Sequence, residues 1–118
     1  MADELKLVFG INFSKGGAKT NRRETVSVDV TGDAFTQSIQ SIGTTEEEVA
    51  QGADLGTPGY VFLKNMDSTN YIEVGSTTGV YDVKLQAGEV ALYRHNSATV
   101  YAKANTAACL LEYVIVET

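Results

Sequence analysis

The chain has 118 residues, of which 43% are hydrophobic and 20% are charged, and these values are typical of one globular domain. Its formal net charge of −6 disfavours binding to nucleic acid, because an acidic surface repels phosphate groups. The single cysteine excludes an internal disulfide, and no apolar run approaches the length of a membrane span. With no signal segment at its start, we expect one domain over residues 1–118, made in a reducing cytosol, without a membrane partner.

The first predicted elements form a long hairpin. From Leu5 to Phe13 every second residue is large and apolar, which predicts a strand, and Thr25–Val30 alternates in the same way. Between them, Ser14–Glu24 contains two glycines and is predicted to be a loop or arm. It concentrates four basic residues, Lys15, Lys19, Arg22 and Arg23. Two interpretations remain open: a solvated hairpin tip, or an arm that meets an acidic surface on another copy or another protein.

A third strand is predicted over Phe35–Ile42. The following segment, "TTEEEVAQ", could begin a short helix or form an extended edge whose charges discourage strand-to-strand aggregation. Glycines on both sides leave little room for a helix and favour the edge or loop. Its three acidic residues, Glu46, Glu47 and Glu48, are interpreted either as a solvated face or as a docking site for a basic partner.

The second half of the chain reads as a series of hairpins. "TPGYVFLKNMDSTNYIEVG" predicts two strands joined by the turn Asn65–Asn70. Two further strand pairs are predicted, Val80–Leu85 with Glu89–Arg94, and Thr99–Ala104 with Cys109–Glu117. The last strand is apolar on both faces, which is typical of a buried central strand. About eight short strands separated by turn residues predict an all-β, antiparallel β-sandwich, with a jelly roll as the favoured topology.

Residues that could perform catalysis are few. The only histidine, His95, follows a predicted strand and is expected to be a solvated turn residue, and Cys109 is expected to be a small buried hydrophobe. Asp67–Asn70 superficially resembles a calcium loop but lacks the EF-hand spacing, so an Asx-stabilised turn is the simpler interpretation. We therefore expect no enzyme, no catalytic residues, no metal site and no cofactor.

Tyrosine is the remaining signal. The chain has six tyrosines and no tryptophan, and tyrosine suits both sandwich rims and protein interfaces. Four of them join the basic and acidic residues above as candidate interface residues: Tyr60, Tyr71, Tyr81 and Tyr93. Exposed tyrosines could also bind sugars. Tyrosines gathered in one concavity would favour a carbohydrate-binding module, and tyrosines in subunit contacts would favour a structural role.

The C-terminal half carries a resemblance. "GYVFLKNMDSTNYIEVG", "LQAGE" and "YAKANTAACLLEY" are similar to segments of small virion structural proteins of tailed bacteriophages, over about residues 56–117. The resemblance implies a part of the phage particle without saying which part, and it implies no catalytic residues. Residues 1–55 share only the general style of such proteins.

From this resemblance we expect a capsid decoration, or cement, protein that docks on the major capsid protein or other virion proteins. It would be made in the bacterial host cytoplasm and located in the virion, as a homo-oligomer with a trimer favoured. A tail, neck or head-fibre accessory protein is the first alternative. A carbohydrate-binding module for attachment to the host surface is the second.

Overall fold

The computed structural model describes residues 4–118, and the chain divides into two compact units, residues 1–31 and residues 32–118. The first unit is a two-stranded ribbon and the second is a sandwich of two four-stranded sheets. Within the described residues there is no helix. The all-β class is therefore confirmed, while the expectation of a single domain over residues 1–118 stays a prediction.

The ribbon consists of β1 (Leu5–Lys15) and β2 (Ala18–Val28), paired antiparallel along their whole length. Gly16 and Gly17 form the turn with φ angles of 57° and 89°. Such a turn matches the twist of hairpin strands but requires positive φ, which glycine adopts without strain. The structure thus differs from the predicted loop at residues 14–24, because only the two glycines leave the strands. Alternation fails in this segment because both faces of the ribbon carry polar residues there.

Residues 32–118 contain eight strands: β3 (Phe35–Ile42), β4 (Glu47–Glu48), β5 (Pro58–Asn65), β6 (Ile72–Gly75), β7 (Val83–Leu85), β8 (Val90–Arg94), β9 (Tyr101–Ala104) and β10 (Cys109–Glu117). The first sheet has the order β3-β10-β5-β8 and the second the order β4-β9-β6-β7, with all neighbours antiparallel. Except for β6 and β7, consecutive strands lie in opposite sheets. This is the strand order of a jelly roll, and the predicted eight-stranded sandwich is confirmed.

The first predicted hairpin is confirmed by the pairing of β1 with β2. The strand pairings predicted for the second half are wrong, although the strands themselves are present. The opening segment of the second half is not a hairpin, since β5 pairs with β10 and β8 while β6 pairs with β7 and β9. The turns before β8 and β10 likewise carry the chain from the second sheet to the first. Turn residues mark where a chain reverses direction, and the same residues serve a hairpin and a crossing between sheets.

The core lies between the two sheets and receives apolar side chains from both. The first sheet contributes Ile42, Val61, Leu63, Cys109, Leu111, Tyr113 and Ile115, and the second contributes Ile72, Val74, Leu85, Ala102 and Ala104. One buried amide joins the sheets: Asn65 on β5 donates to the carbonyl oxygens of Leu85 (3.0 Å) and Asn70 (2.9 Å). Its side-chain oxygen accepts from the backbone N–H of Asp67, which satisfies the amide fully.

Two predictions about strand position can be assessed directly. The acidic segment around Glu47 is an edge strand, as expected, because β4 pairs only with β9. Strand β10 is central, as expected, but it is not buried on both faces: Leu111 is fully buried, whereas its neighbour Leu110 is 50% exposed.

Candidate interaction surfaces

The first sheet has a second apolar surface on the side that faces away from the core. Alternation along β10 directs Leu111, Tyr113 and Ile115 inward and therefore the residues between them outward. The register aligns outward residues of all four strands, for example Val114 with Phe62. We call this surface the apolar sheet face. Its apolar residues are Phe35, Ile39, Tyr60, Phe62, Val90, Leu92, Leu110, Val114 and Val116, and the same register also places Lys64, Arg94 and Glu112 on it.

Much of the apolar sheet face is open to solvent. Phe35 is 63% exposed, Val90 56% and Ile39 52%. Contiguous exposed apolar surface of this kind marks interaction sites in soluble proteins, whereas single exposed apolar residues are ordinary. The exposed apolar residues of this face therefore make it a candidate docking surface.

Acidic residues lie at both ends of this face. Asp33 and Asp54 line a shallow depression together with Phe35 at one end. At the other end Glu89 directly precedes Val90, and Asp67 directly follows the exposed Met66. Lys64, Glu112 and Arg94 lie on the face itself. The acidic residues at its ends favour a partner that has basic residues beside its apolar ones.

The outer face of the second sheet is polar instead. The register aligns Lys103, Glu73 and Lys84 in one row across β9, β6 and β7. The ammonium group of Lys84 lies 4.2 Å from the centre of the Tyr71 ring, a cation–π distance. The ammonium group of Lys103 likewise lies 5.9 Å from the centre of the Tyr81 ring, so both lysines of this row contact a tyrosine.

Glu46 fastens the loop between β6 and β7 to the start of β4. Its Oε1 accepts hydrogen bonds from the Tyr81 hydroxyl (2.5 Å) and from the backbone N–H of Gly79 (2.8 Å). These two donors lower the pKa of Glu46, and the carboxylate together with burial raises the pKa of Tyr81 to about 12. Among the three glutamates, Glu46 is therefore already hydrogen-bonded within its own chain.

Glu47 is used in a similar way. Its carboxylate accepts from the side-chain amide of Gln40 (2.9 Å) and from the backbone N–H of Gly43 (2.9 Å). Glu48 is exposed beside it at the sheet edge. The structure therefore places the three glutamates together, but two of them stabilise loops of their own unit.

The ribbon distributes its four basic residues over both faces. Lys15 and Arg22 share a face with Ile11 and Phe13, and Lys19 and Arg23 lie on the other face. Ile11 is 61% exposed and Phe13 48%. Arg22 pairs with Glu24 at 2.6 Å, but both side chains are exposed, so this ion pair contributes little to stability.

The ribbon strands and the sandwich unit differ in net charge. Strands β1 and β2 with their turn, residues 5–28, contain five basic residues and one acidic residue, a net charge of +4, and the whole first unit, residues 1–31, carries +1. Residues 32–118 contain four basic and eleven acidic residues, a net charge of −7. The basic residues are thus concentrated in the strands of the ribbon and its turn.

The four candidate tyrosines are not brought together. Tyr60 belongs to the apolar sheet face, where the guanidinium of Arg94 lies 4.9 Å from its ring centre. Tyr71 and Tyr81 belong to the polar side of the second sheet. Tyr93 packs against the core, and burial raises its pKa to about 12. A cavity of about 210 Å³ at the end of β8 contains Tyr93 as its only tyrosine.

The prediction for His95 is wrong, because this residue is 6% exposed. Its Nε2 lies 2.8 Å from the carbonyl oxygen of Thr99, an acceptor, so this nitrogen carries the hydrogen. Its backbone N–H donates to the carbonyl oxygen of Gly59 at 2.7 Å. The histidine thus holds the turn after β8, a role that a local sequence pattern does not reveal.

Two other predictions are confirmed. Cys109 is 1% exposed in the core, and burial raises the pKa of its thiol. Asp67 forms an Asx turn, in which one carboxylate oxygen accepts from the backbone N–H groups of Thr69 and Asn70. Among residues 4–118, no group of three or more His, Cys, Asp or Glu side chains is placed to hold a metal ion.

Comparisons with models of known protein families, with curated proteins and with solved structures find no match. In the described part of the chain no helix is long and apolar enough to cross a membrane.

The apolar sheet face was missed in the sequence. Its signal was the second apolar row of β10, together with Phe35 and Ile39, which fall outside the inward pattern set by Ile42. The second row of β10 was interpreted as buried because the strand order, and hence the absence of a covering layer within the sandwich, is not encoded in any local pattern.

Proposed function

We propose that this protein is a structural component of a bacteriophage particle, a capsid decoration protein that docks on the capsid lattice and stabilises it. The observation that carries the proposal is the apolar sheet face, an exposed apolar surface that becomes favourable only when another protein covers it. Burial of such area contributes roughly 25 cal/mol per Å² before the costs of association.

Lattice geometry suits this kind of surface. A capsid offers many equivalent positions, so a modest contact for each copy becomes strong when copies also hold one another. The jelly-roll fold, the apolar sheet face and the resemblance of residues 56–117 to small phage virion proteins all support this role. The scattered tyrosines support it over sugar binding, since a carbohydrate platform needs aromatic rings gathered on one surface.

The test is to purify phage particles from cells that carry the gene and to measure this protein relative to the major capsid protein by quantitative mass spectrometry. A decoration protein is expected at a fixed ratio to the capsid subunits, and particles from a deletion strain should lose DNA at a lower temperature. Restoring the gene in trans is the control.

Other outcomes have distinct meanings. A copy number matching a single ring, with unchanged head stability, would replace the proposal with the tail or neck alternative. Absence from purified particles would overturn a virion role altogether, and a glycan array would then test the carbohydrate-binding alternative.

A further inference from the structure

The geometry points to arm exchange: the ribbon of one copy lies on the apolar sheet face of a second copy. This inference rests on the proposed function, because both treat the apolar sheet face as a docking surface. It adds that the ribbon of a second copy is what docks there. Ile11 and Phe13 of the donor would lie among Phe35, Ile39 and Leu110 of the acceptor, all of them exposed in the single chain.

The ribbon needs a cover. A two-stranded hairpin is marginally stable by itself, and only packing of an apolar face makes it persist. In the half of the ribbon nearest the turn, the apolar residues Ile11 and Phe13 are about half exposed or more. Covering this face would fix the ribbon and remove the aggregation risk of an exposed apolar strand.

Only part of the apolar row of the ribbon is open to a partner. Leu7 is 5% exposed, whereas Ile11 and Phe13 are 61% and 48% exposed. The outward residues of β10 extend from Leu110 to Val116, six steps or roughly 20 Å. The exposed end of a ribbon would therefore cover one part of the apolar sheet face.

Charge favours a second copy as the occupant. The strands of the ribbon with their turn, residues 5–28, carry +4, the first unit as a whole carries +1, and the sandwich unit carries −7. Lys15 and Arg22 lie on the same side of the ribbon as its exposed apolar residues. Docking would place these basic residues near the acidic residues at the ends of the sheet face, while Lys64, Glu112 and Arg94 of the face itself would also lie in or beside the contact.

Every copy has both surfaces, so the contact is head to tail. Such heterologous contacts close into rings when the rotation between copies allows it, and the trimer expected from the sequence is one such ring. Each copy in the ring would donate one ribbon and accept another.

The test uses light scattering behind size exclusion on full-length chains over a range of concentrations. A donor-defective variant carries Ile11→Asp and Phe13→Asp, and an acceptor-defective variant carries Ile39→Asp. Val8→Asp, at a 62% exposed position on the opposite ribbon face, and Val80→Asp, at a 50% exposed position beside the second sheet, are matched controls. We expect a discrete oligomer for the wild type and both controls, and monomers for each defective variant.

Mixing the two defective variants is the decisive experiment. The donor-defective chain still has an intact sheet face and the acceptor-defective chain still has an intact ribbon, so the mixture should form a 1:1 complex that grows no further. Near-ultraviolet circular dichroism and urea unfolding would show that each variant is folded. Raising the salt concentration should weaken the complex, because the charges around the contact are exposed.

Several results would overturn arm exchange. They are a wild type that is monomeric at every concentration, a mixture that does not associate, and controls that lose association as strongly as the defective variants. If the mixture fails while the wild type still enters phage particles, the virion role stands without exchange. If the mixture associates while the protein is absent from particles, exchange stands and the virion role fails.

Discussion

The two sheets of the sandwich share one core but have opposite outer faces. The first sheet directs Phe35, Ile39 and Leu110 toward solvent, and the second directs a row of lysine and glutamate side chains outward. On the second sheet the exposed groups are paired within the chain, through Lys84 with Tyr71 and Tyr81 with Glu46. On the first sheet these three apolar side chains instead remain half exposed or more.

This difference shows which sheet would gain from a partner on its outer face and which would not. A polar face paired with itself gains little from a partner, because docking would remove its charges from water. An apolar face gains from any suitable cover. Association is therefore expected to change the behaviour of the first sheet and to leave the second sheet unaffected.

The largest effect on stability should come from a substitution in the core between the two sheets. Leu111→Ala removes a fully buried side chain from the central strand and should lower the free energy of unfolding by about 2–5 kcal/mol. Leu110→Ala, one residue earlier on the outer face, should cost about 0.5 kcal/mol or less in dilute monomer. Urea unfolding at low and high protein concentration measures both. Equal costs in dilute solution would mean that the outer face is already covered.

A smaller effect should come from the link between the sheets. Asn65→Ala leaves the carbonyl oxygens of Leu85 and Asn70 without their amide donor and should cost about 1–3 kcal/mol. Asn96→Ala, at an exposed position, is the matched control and should cost about 0.5 kcal/mol or less. Thermal and urea unfolding of both variants provide the check. A neutral Asn65→Ala would show that apolar packing alone holds the two sheets together.

The smallest effect concerns the polar side of the second sheet and depends on pH. The pKa of Glu46 is below its ordinary 4.5, so its contribution to stability is present above pH 4.5 and is lost as the pH falls. The pKa of Tyr81 is raised from 10.0 to about 12, so its contribution is lost as the pH rises through that interval.

Tyr81→Phe removes this pair. The melting temperature of the variant should therefore be lower than that of the wild type between pH 4.5 and 10.0, and the difference should shrink on either side of this window. Tyr101→Phe, which removes a hydroxyl from β9 of the same sheet, is the control and should leave the shape of the pH profile unchanged. A constant difference for Tyr81→Phe at every pH would contradict the role of the carboxylate.

Prediction succeeded where the signal is local. Alternation of apolar residues located the strands of the second half to within a few residues, because the pleat of a strand converts burial on one side into a period of two. The Asx turn at Asp67 was also predictable, since its donors are two and three residues away in the chain. The acidic edge strand at Glu47 followed from charge and from the glycines beside it.

Prediction failed where the partner is distant in the chain. His95 was predicted to be solvated. Its ring contacts Ser97 and Thr99, which are near it in the chain, but its backbone N–H donates to the carbonyl oxygen of Gly59, which lies far away in the sequence. Nothing in the sequence around Glu46 and Glu47 indicated that Tyr81 and Gln40 would donate hydrogen bonds to their carboxylates. A local pattern contains the residue types of such contacts but not their proximity.

The sequence by itself determined an all-β chain, the positions of most strands, the turns between them and the concentration of basic residues near Gly16. Only the tertiary structure decided that β5 and β6 separate into different sheets and that the second apolar row of β10 faces solvent. The physical reason is that alternation records which side chains share a face. Which strands become neighbours, and whether a face is covered, depends on the packing of the whole chain.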